Sequence, residues 1–370
     1  MKAWNRRPLV VLVLGLVLGI IPETEAKWFI LPGVYYDWDF GLVGNCTFIA
    51  EGERKNRLLV QAEYFGENGG QIRGEYFLPT RVREWTFGAR YQAAERRAFS
   101  PYYASNQEEC LTAKRRWTEF LVRCDLPVDN GLFYGVQGSY RKYSFDDETV
   151  LLGGAALSPP IMQATFMVGE EYLFSLRVGL ERRNDRYHTK KGTYLLWQCD
   201  LGEANASSER FQLVRLSVDG RQYIELLPKS TLALNLRTGI AHHELPYFSR
   251  FKLGGSQSLR GFPLERYSGN GFYLLRAEFR QEVKSNLKTP LYWLKKIMPE
   301  LPDPRFTAGF VVFTDCGDLW RDDLGWWSFR QGIGVGLRAV FPPSVVAAID
   351  IAKPVDSASY AIYLDLQQSF

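Results

Sequence analysis

The chain has 370 residues, and its 45 Lys and Arg against 41 Asp and Glu give a formal charge of +4, too nearly balanced to argue for nucleic-acid binding. Hydrophobic residues make up 46% and aromatic residues 15%, yet after residue 26 no apolar run reaches the ~18 residues of a spanning helix, so helical membrane spans are not expected. Five cysteines (Cys46, Cys110, Cys124, Cys199, Cys316) without C-x-x-C spacing and only three histidines (His188, His242, His243) offer no zinc motif; neither a metal nor another cofactor is expected.

The N-terminus is patterned for export. Lys2, Arg6 and Arg7 precede an apolar run of 13 residues, Leu9 to Ile21, and Thr24-Glu25-Ala26 supplies small residues for cleavage. Residues 1–26 are read as a signal peptide, with an uncleaved anchor as the alternative. Removing them leaves 344 residues and a charge of +3, from 42 basic against 39 acidic side chains. No linker or internal repeat divides residues 27–370, which are expected to form one domain.

That domain is expected to be all-β. Period-two alternation assigns strands at 41–50, 57–66, 70–79, 84–94, 115–125, 132–143, 172–182, 191–201, 209–226 and 231–243, and then at 272–283, 306–316, 329–340, 345–353 and 359–370. In 172–181, Tyr172, Phe174, Leu176, Val178 and Leu180 share one face, while Ser175, Arg177, Gly179 and Glu181 share the other. Segments 231–241 and 115–126 repeat the pattern. Glu67-Asn68-Gly69-Gly70 and Val128-Asp129-Asn130-Gly131 are tight-turn sequences. Residues 95–114 and 144–171 are expected as long connections, and 284–304 as a connection with a short amphipathic helix. Leu291, Leu294 and Met298 have helical spacing there, beside Lys295 and Lys296; a plain loop is the alternative, given Pro290, Pro299, Pro302 and Pro304. The last strand would face outward with Tyr360, Ile362, Leu364, Leu366 and Phe370, and inward with Ser359, Ala361, Tyr363, Asp365, Gln367 and Ser369.

An apolar face on nearly every strand, with no helical layer to cover it, points to an inside-out sheet. The expectation is a transmembrane antiparallel β-barrel with a polar lumen, its aromatics in interfacial girdles. Cys124, Cys199 and Cys316 would then face lipid as small apolar residues. A periplasmic β-protein of binding type is the soluble alternative. Fifteen strands are visible where an even number is usual; the missing one is either 28–38 or part of 144–170, such as Ile161 to Val168.

Four motifs remain. Gly254-Gly255-Ser256-Gln257-Ser258-Leu259-Arg260-Gly261-Phe262 is a glycine-rich tip carrying an arginine. If buried, Arg260 needs carboxylate partners, since a guanidinium stays charged; Glu278 and Asp315 sit at inward parity on the next two strands. Arg183-Asn184-Asp185-Arg186, then Lys191-Gly192, is the second. The third is Phe313-Thr314-Asp315-Cys316-Gly317-Asp318. In the fourth, Gly332, Gly334 and Gly336 alternate with Ile333, Val335 and Leu337, which puts glycine inward on a strand, the wrong context for a phosphate-binding loop.

Together these resemble the outer-membrane protein 85 superfamily, the bacterial surface antigen barrels that include BamA, TamA and the two-partner secretion translocators. The second motif matches only in part, lacking the family's proline. The resemblance implies about sixteen strands, with the sixth extracellular loop folded into the lumen and held there by Arg260-Gly261-Phe262, Arg260 pairing with Asp315 and with Glu278 nearby. Phe313, Gly317, Gly332, Gly334 and Gly336 would support that lock, and residues 284–304 would lie on the periplasmic side. Phe370 would be the C-terminal signal read by the outer-membrane assembly machinery, placing the chain in the outer-membrane bilayer. The periplasmic modules that deliver substrates in relatives have no room here, so a separate periplasmic or lipoprotein partner is expected. The implied function is protein insertion, translocation or permeation, without enzymatic activity. Alternatives are a membrane-embedded hydrolase, for which no G-x-S-x-G occurs, and a structural or binding barrel without transport.

Overall fold

The computed structural model describes residues 27–37, 41–52, 56–65, 69–80, 82–99, 111–145, 150–152, 155–157, 168–186, 188–206, 209–288, 305–320, 329–341, 345–365 and 370. The expected signal peptide and the expected helix at 291–298 lie outside these residues.

The first seven strands are β1 (Lys27–Asp37), β2 (Gly41–Glu51), β3 (Arg57–Tyr64), β4 (Gly69–Pro79), β5 (Glu84–Phe99), β6 (Leu111–Pro127) and β7 (Leu132–Phe145). A short side hairpin, β8 (Val150–Leu152) with β9 (Ala155–Leu157), attaches to β6. The meander resumes with β10 (Gly169–Glu181), β11 (Gly192–Ala206), β12 (Glu209–Leu227) and β13 (Ser230–Ala241). A separate hairpin, β14 (Phe251–Leu253) with β15 (Tyr267–Gly269), lies inside the next connection. The last strands are β16 (Gly271–Lys288), β17 (Arg305–Trp320), β18 (Arg330–Phe341), β19 (Val345–Pro354) and β20 (Ala361–Asp365). Without the side hairpin this is one sheet of sixteen antiparallel strands. Its end strands, β1 and β20, come into contact, so the sheet curls round on itself. In lipid such curling matters, because an unpaired edge there has no water to satisfy it.

The faces follow the alternation. On β10, Leu173, Ser175 and Arg177 are buried while Phe174, Leu176 and Val178 are exposed. On β13, Ala233 and Asn235 are buried and Leu234 and Leu236 exposed. Charge lies inside and aliphatic surface outside, the arrangement of a barrel whose solvent is a bilayer. Cys46, Cys124, Cys199 and Cys316 carry free thiols. No helix among the described residues is long and apolar enough to cross a membrane.

The hairpins at one end are tight. Asn130 (φ 61°) and Gly131 (φ 80°) turn β6 into β7, left-handed conformations that this Asn-Gly pair adopts at low cost. Several boundaries differ from the sequence reading. The ambiguous sixteenth strand is β1, at 27–37. Strands β5 and β6 extend through 95–99 and 111–114, because their ladder continues past a bulge between Arg96 and Phe99. Residues 150–152 and 155–157 of the expected 144–171 connection pair into the side hairpin. Residues 284–288 continue β16, paired through two register shifts with Arg305–Ala308, rather than beginning the connection. Phe370 does not face outward. It is 8% exposed and packs inside the barrel against Tyr223 and Ala233.

Candidate functional site in the lumen

The connection from β13 to β16, residues 242–270, folds into the barrel. Its base turns at Tyr247–Ser249 and runs into β14; its tip, 254–266, returns through β15. Three glycines with positive φ shape the tip, Gly254 (115°), Gly255 (94°) and Gly261 (95°). At Gly261 a Cβ would also lie 2.7 Å from the backbone carbon of Lys353, so a side chain is barred twice over. The Ser258 hydroxyl closes the tip, accepting from the Gly254 amide at 2.8 Å and donating to the Gly254 carbonyl at 2.9 Å.

Arg260 points from this tip into a nest of carboxylates and is fully buried. Its Nε and Nη2 donate to the two oxygens of Asp315 at 2.6 and 2.8 Å, a bidentate fork. Its backbone amide donates to the same carboxylate at 3.1 Å. Nη1 lies 2.7 Å from Glu278 Oε1 and 3.0 Å from Asp350 Oδ2. The guanidinium carbon is 3.4 Å from the centroid of the Phe313 ring beneath it. Phe262, next but one, packs with Leu253, Leu259, Leu274 and Leu319.

Register explains why residues so distant in sequence meet. Arg276 pairs with Asp315, which pairs with Gly332. One row further, Glu278 pairs with Phe313, which pairs with Gly334. Next, Val311 pairs with Gly336, Gly336 with Asp350, and Asp350 with Tyr363. The three inward glycines each clear space for a different part. A Cβ on Gly332 would sit 1.9 Å from the Arg260 carbonyl oxygen, one on Gly334 2.4 Å from the Phe313 ring, and one on Gly336 1.9 Å from the Asp350 carboxylate. Gly317 faces Leu274 on the neighbouring strand, where a Cβ would come 2.7 Å from the Tyr273 carbonyl oxygen.

The structure thus brings Arg260, Glu278, Phe313, Asp315 and the glycines together, and adds residues that sequence reasoning did not assign to the lock. Asp350 also binds Arg338 through both carboxylate oxygens. Arg276 reaches Asp315 at 3.3 Å and the Ser256 carbonyl at 3.1 Å. Arg280 pairs with Glu278 at 2.8 Å and donates to the Phe370 backbone oxygen at 2.9 Å. Tyr363 on β20 accepts from the Gly261 amide and donates to the Phe262 carbonyl, both at 3.0 Å. Parity was the signal available for these: Asp350 alternates with Ile349 and Ile351.

A second set of contacts holds the base of the same connection against β7, β10 and β12, on the other side of β13 from the strands that hold the tip. Arg215 Nη1 donates to the Ser249 carbonyl at 2.8 Å. The guanidinium lies 3.5 Å from buried Glu171 and 3.3 Å from Asp200. Phe248 stacks on Tyr143 with centroids 5.3 Å apart, within a cluster that includes Leu173, Leu213 and Leu245. The Arg183–Lys191 motif lies at the other end of the barrel. Arg186 reaches Glu84, and His188 and Lys190 reach Glu282 at 3.0 and 2.6 Å, bridging separate strands. Among the described residues no group of three His, Cys, Asp or Glu is placed to hold a metal ion.

Residues 167–367, more than half of the chain, match the Omp85 superfamily domain. The fold is similar to BamA from Haemophilus ducreyi lacking POTRA domains 1-3, with a TM-score of 0.57 at 14% identity over 92% of this chain and 69% of that one. It is similar to CdiB from Acinetobacter baumannii (0.58, 15%, 92% and 59%) and to CdiB from Escherichia coli (0.59, 13%, 94% and 62%). The chain spans less than two thirds of either CdiB chain. No curated protein sequence matches.

Proposed function

Because the chain belongs to the Omp85 superfamily, we propose that it is an outer-membrane barrel acting in protein insertion or translocation, and that Arg260 locks the connection 242–270 inside its lumen. The observation that carries this reading is the full burial of Arg260 among Glu278, Asp315 and Asp350, each supplied by a different strand. A guanidinium so desolvated stays only where its partners are preorganised, and preorganised strands are what a barrel wall provides. The tip then joins β16, β17, β19 and, through Tyr363, β20, so the state of the connection and the shape of the wall are coupled. The chain works with the outer-membrane assembly machinery for its own insertion and with a separate periplasmic or lipoprotein partner for substrate delivery.

The test is reconstitution. The purified chain in liposomes, offered an unfolded barrel substrate held by a soluble chaperone, should speed acquisition of protease resistance over empty liposomes. Arg260→Ala should lower that rate while still partitioning into membranes. No acceleration, with and without an envelope extract supplying a partner, would remove the insertion reading; unaltered behaviour of Arg260→Ala would remove the lock.

A further inference from the structure

The outer wall carries a feature that the lumen chemistry does not use. A groove of about 490 Å³, almost entirely apolar, lies across β10 to β17 and is lined by Leu195, Gly220, Leu236, Leu275, Ala277 and Cys316 among others. Its depth comes from small outward residues set between leucines. Gly220 pairs with Leu195 and Leu236, and Ala277 pairs with Leu234 and Thr314. A Cβ on Gly220 would meet nothing closer than 3.7 Å, so the space is real room rather than a backbone contact. The polar groups on its rim satisfy one another: Thr193 donates to Gln222 at 2.7 Å, and Gln331 to Thr314 at 3.0 Å. Such a rim can face hydrocarbon without leaving polar atoms unpaired.

A set of exposed cations lies beyond the groove, at the end of the barrel that carries the Asn130-Gly131 turn. Arg182, Lys191, Lys229 and Lys284 are all exposed. Arg182 and Lys191 are tied to the groove by the backbone, and Lys229 and Lys284 lie further toward the same end, beyond strands that line it. The Arg182 amide donates to the carbonyl of the groove residue Thr193 at 2.9 Å, and Lys191 lies two residues before Thr193. The Lys229 carbonyl accepts from the Glu282 amide at 2.8 Å, which brings Lys229 beside the strand segment bearing Lys284. Nearby acids do not cancel these charges. Glu282 is engaged by His188 and Lys190, Glu181 by Arg183, and the exposed Glu225 sits at inward parity.

We propose that this wall binds one anionic phospholipid, with an acyl chain in the β10–β17 groove and its phosphate-bearing headgroup among Lys191, Lys229, Lys284 and Arg182. The inference rests on the membrane-barrel reading but not on insertion activity. An apolar slot alone would take any lipid tail; the charge beyond it selects the headgroup. Lysine stems suit this work, lying along apolar surface while the ammonium reaches the interface.

Native mass spectrometry of the detergent-solubilised full chain, titrated with dioleoyl phosphatidylglycerol or dioleoyl phosphatidylcholine, tests it. Retention of a first phosphatidylglycerol should exceed that of phosphatidylcholine roughly tenfold, as a few interfacial charges provide. The triple variant K191Q/K229Q/K284Q should abolish the preference while leaving tail binding. Ala277→Phe, which fills the groove, should reduce retention of both lipids. Heat-modified gel migration, unchanged in both variants, separates a lost site from a lost fold; its absence in the parent chain would instead sink the barrel reading. Equal retention of the two lipids, or a preference untouched by both variants, would overturn the proposal.

Discussion

At the scale of single residues, the lumen cluster is a case in which removal and replacement differ. Arg260 cannot shed its charge, and its Nε, Nη1 and Nη2 donors all have carboxylate partners. Arg260→Ala leaves Asp315, Glu278 and Asp350 buried without it and should cost about 3–5 kcal/mol. The readout is the temperature at which the folded, fast-migrating band is lost on a semi-native gel. Arg260→Lys should recover part of this, since an ammonium cannot reproduce the bidentate fork. Asp315→Ala should resemble Arg260→Ala, and the double variant should fall short of the sum. Wild-type heat stability in both single variants would show the cluster to be energetically idle. Gly332 makes a sharper probe, because its lost space belongs to one atom. A Cβ there would meet the Arg260 carbonyl at 1.9 Å, whereas one on Gly44 would meet nothing within 4 Å. Gly332→Ala should therefore displace the tip and cost about 1–3 kcal/mol, the range of overpacking, while Gly44→Ala should be close to neutral by the same gel.

At the scale of elements, the tip and the last described strand are joined by one phenol. Tyr363→Phe removes an acceptor from the Gly261 amide and a donor to the Phe262 carbonyl. Each orphaned group costs about 1–3 kcal/mol if it stays dry. Hydrogen exchange at residues 254–262 should quicken in Tyr363→Phe, with exchange in β10 unchanged; equal protection in both chains would place the phenol outside the clasp. This contact also marks where sequence ceases to be legible. Parity put Tyr363 inside, and it would put Asp350 inside by its alternation with Ile349 and Ile351. Parity fixes the face but not the height. Height requires the register of β16 through β20, set by hydrogen bonds between strands that no single strand encodes. Phe370 departs from parity for a different reason. An aromatic at even parity in the final segment reads as lipid-facing, but a charged lumen also accommodates aromatics. The guanidinium carbons of Arg276 and Arg280 lie 4.9 and 5.2 Å from its ring centroid.

At the scale of the whole molecule, the sixteen-strand architecture was legible because a bilayer outside and a polar lumen inside force alternation on nearly every strand. The exception was β1. Its sequence runs Trp28, Phe29, Ile30, Leu31, Pro32, Gly33 without alternation, and only its full ladder with β2, from Lys27–Glu51 to Asp37–Gly41, identifies it. The connection 242–270 adds a constraint that no motif conveyed, since it is held at two places. Its tip is anchored to β16, β17 and β19 by Arg260, and its base to β7, β10 and β12 by Phe248 and Arg215. The two anchors lie on either side of β13, so the connection is tied to both flanks of the strand it leaves. Arg260→Ala then frees only the tip, with Ser249 and Phe248 still fixed. In planar bilayers the parent chain should conduct little, Arg260→Ala should flicker between low and intermediate levels, and Arg260→Ala with Arg215→Gln and Phe248→Ala should open steadily. If Arg260→Ala alone gave the full conductance, the base contacts would be ornaments of a connection that hangs from its tip. If the triple variant stayed closed, the current would be limited by the wall itself or by the bridge of Arg186, His188 and Lys190 at the far end, rather than by this connection.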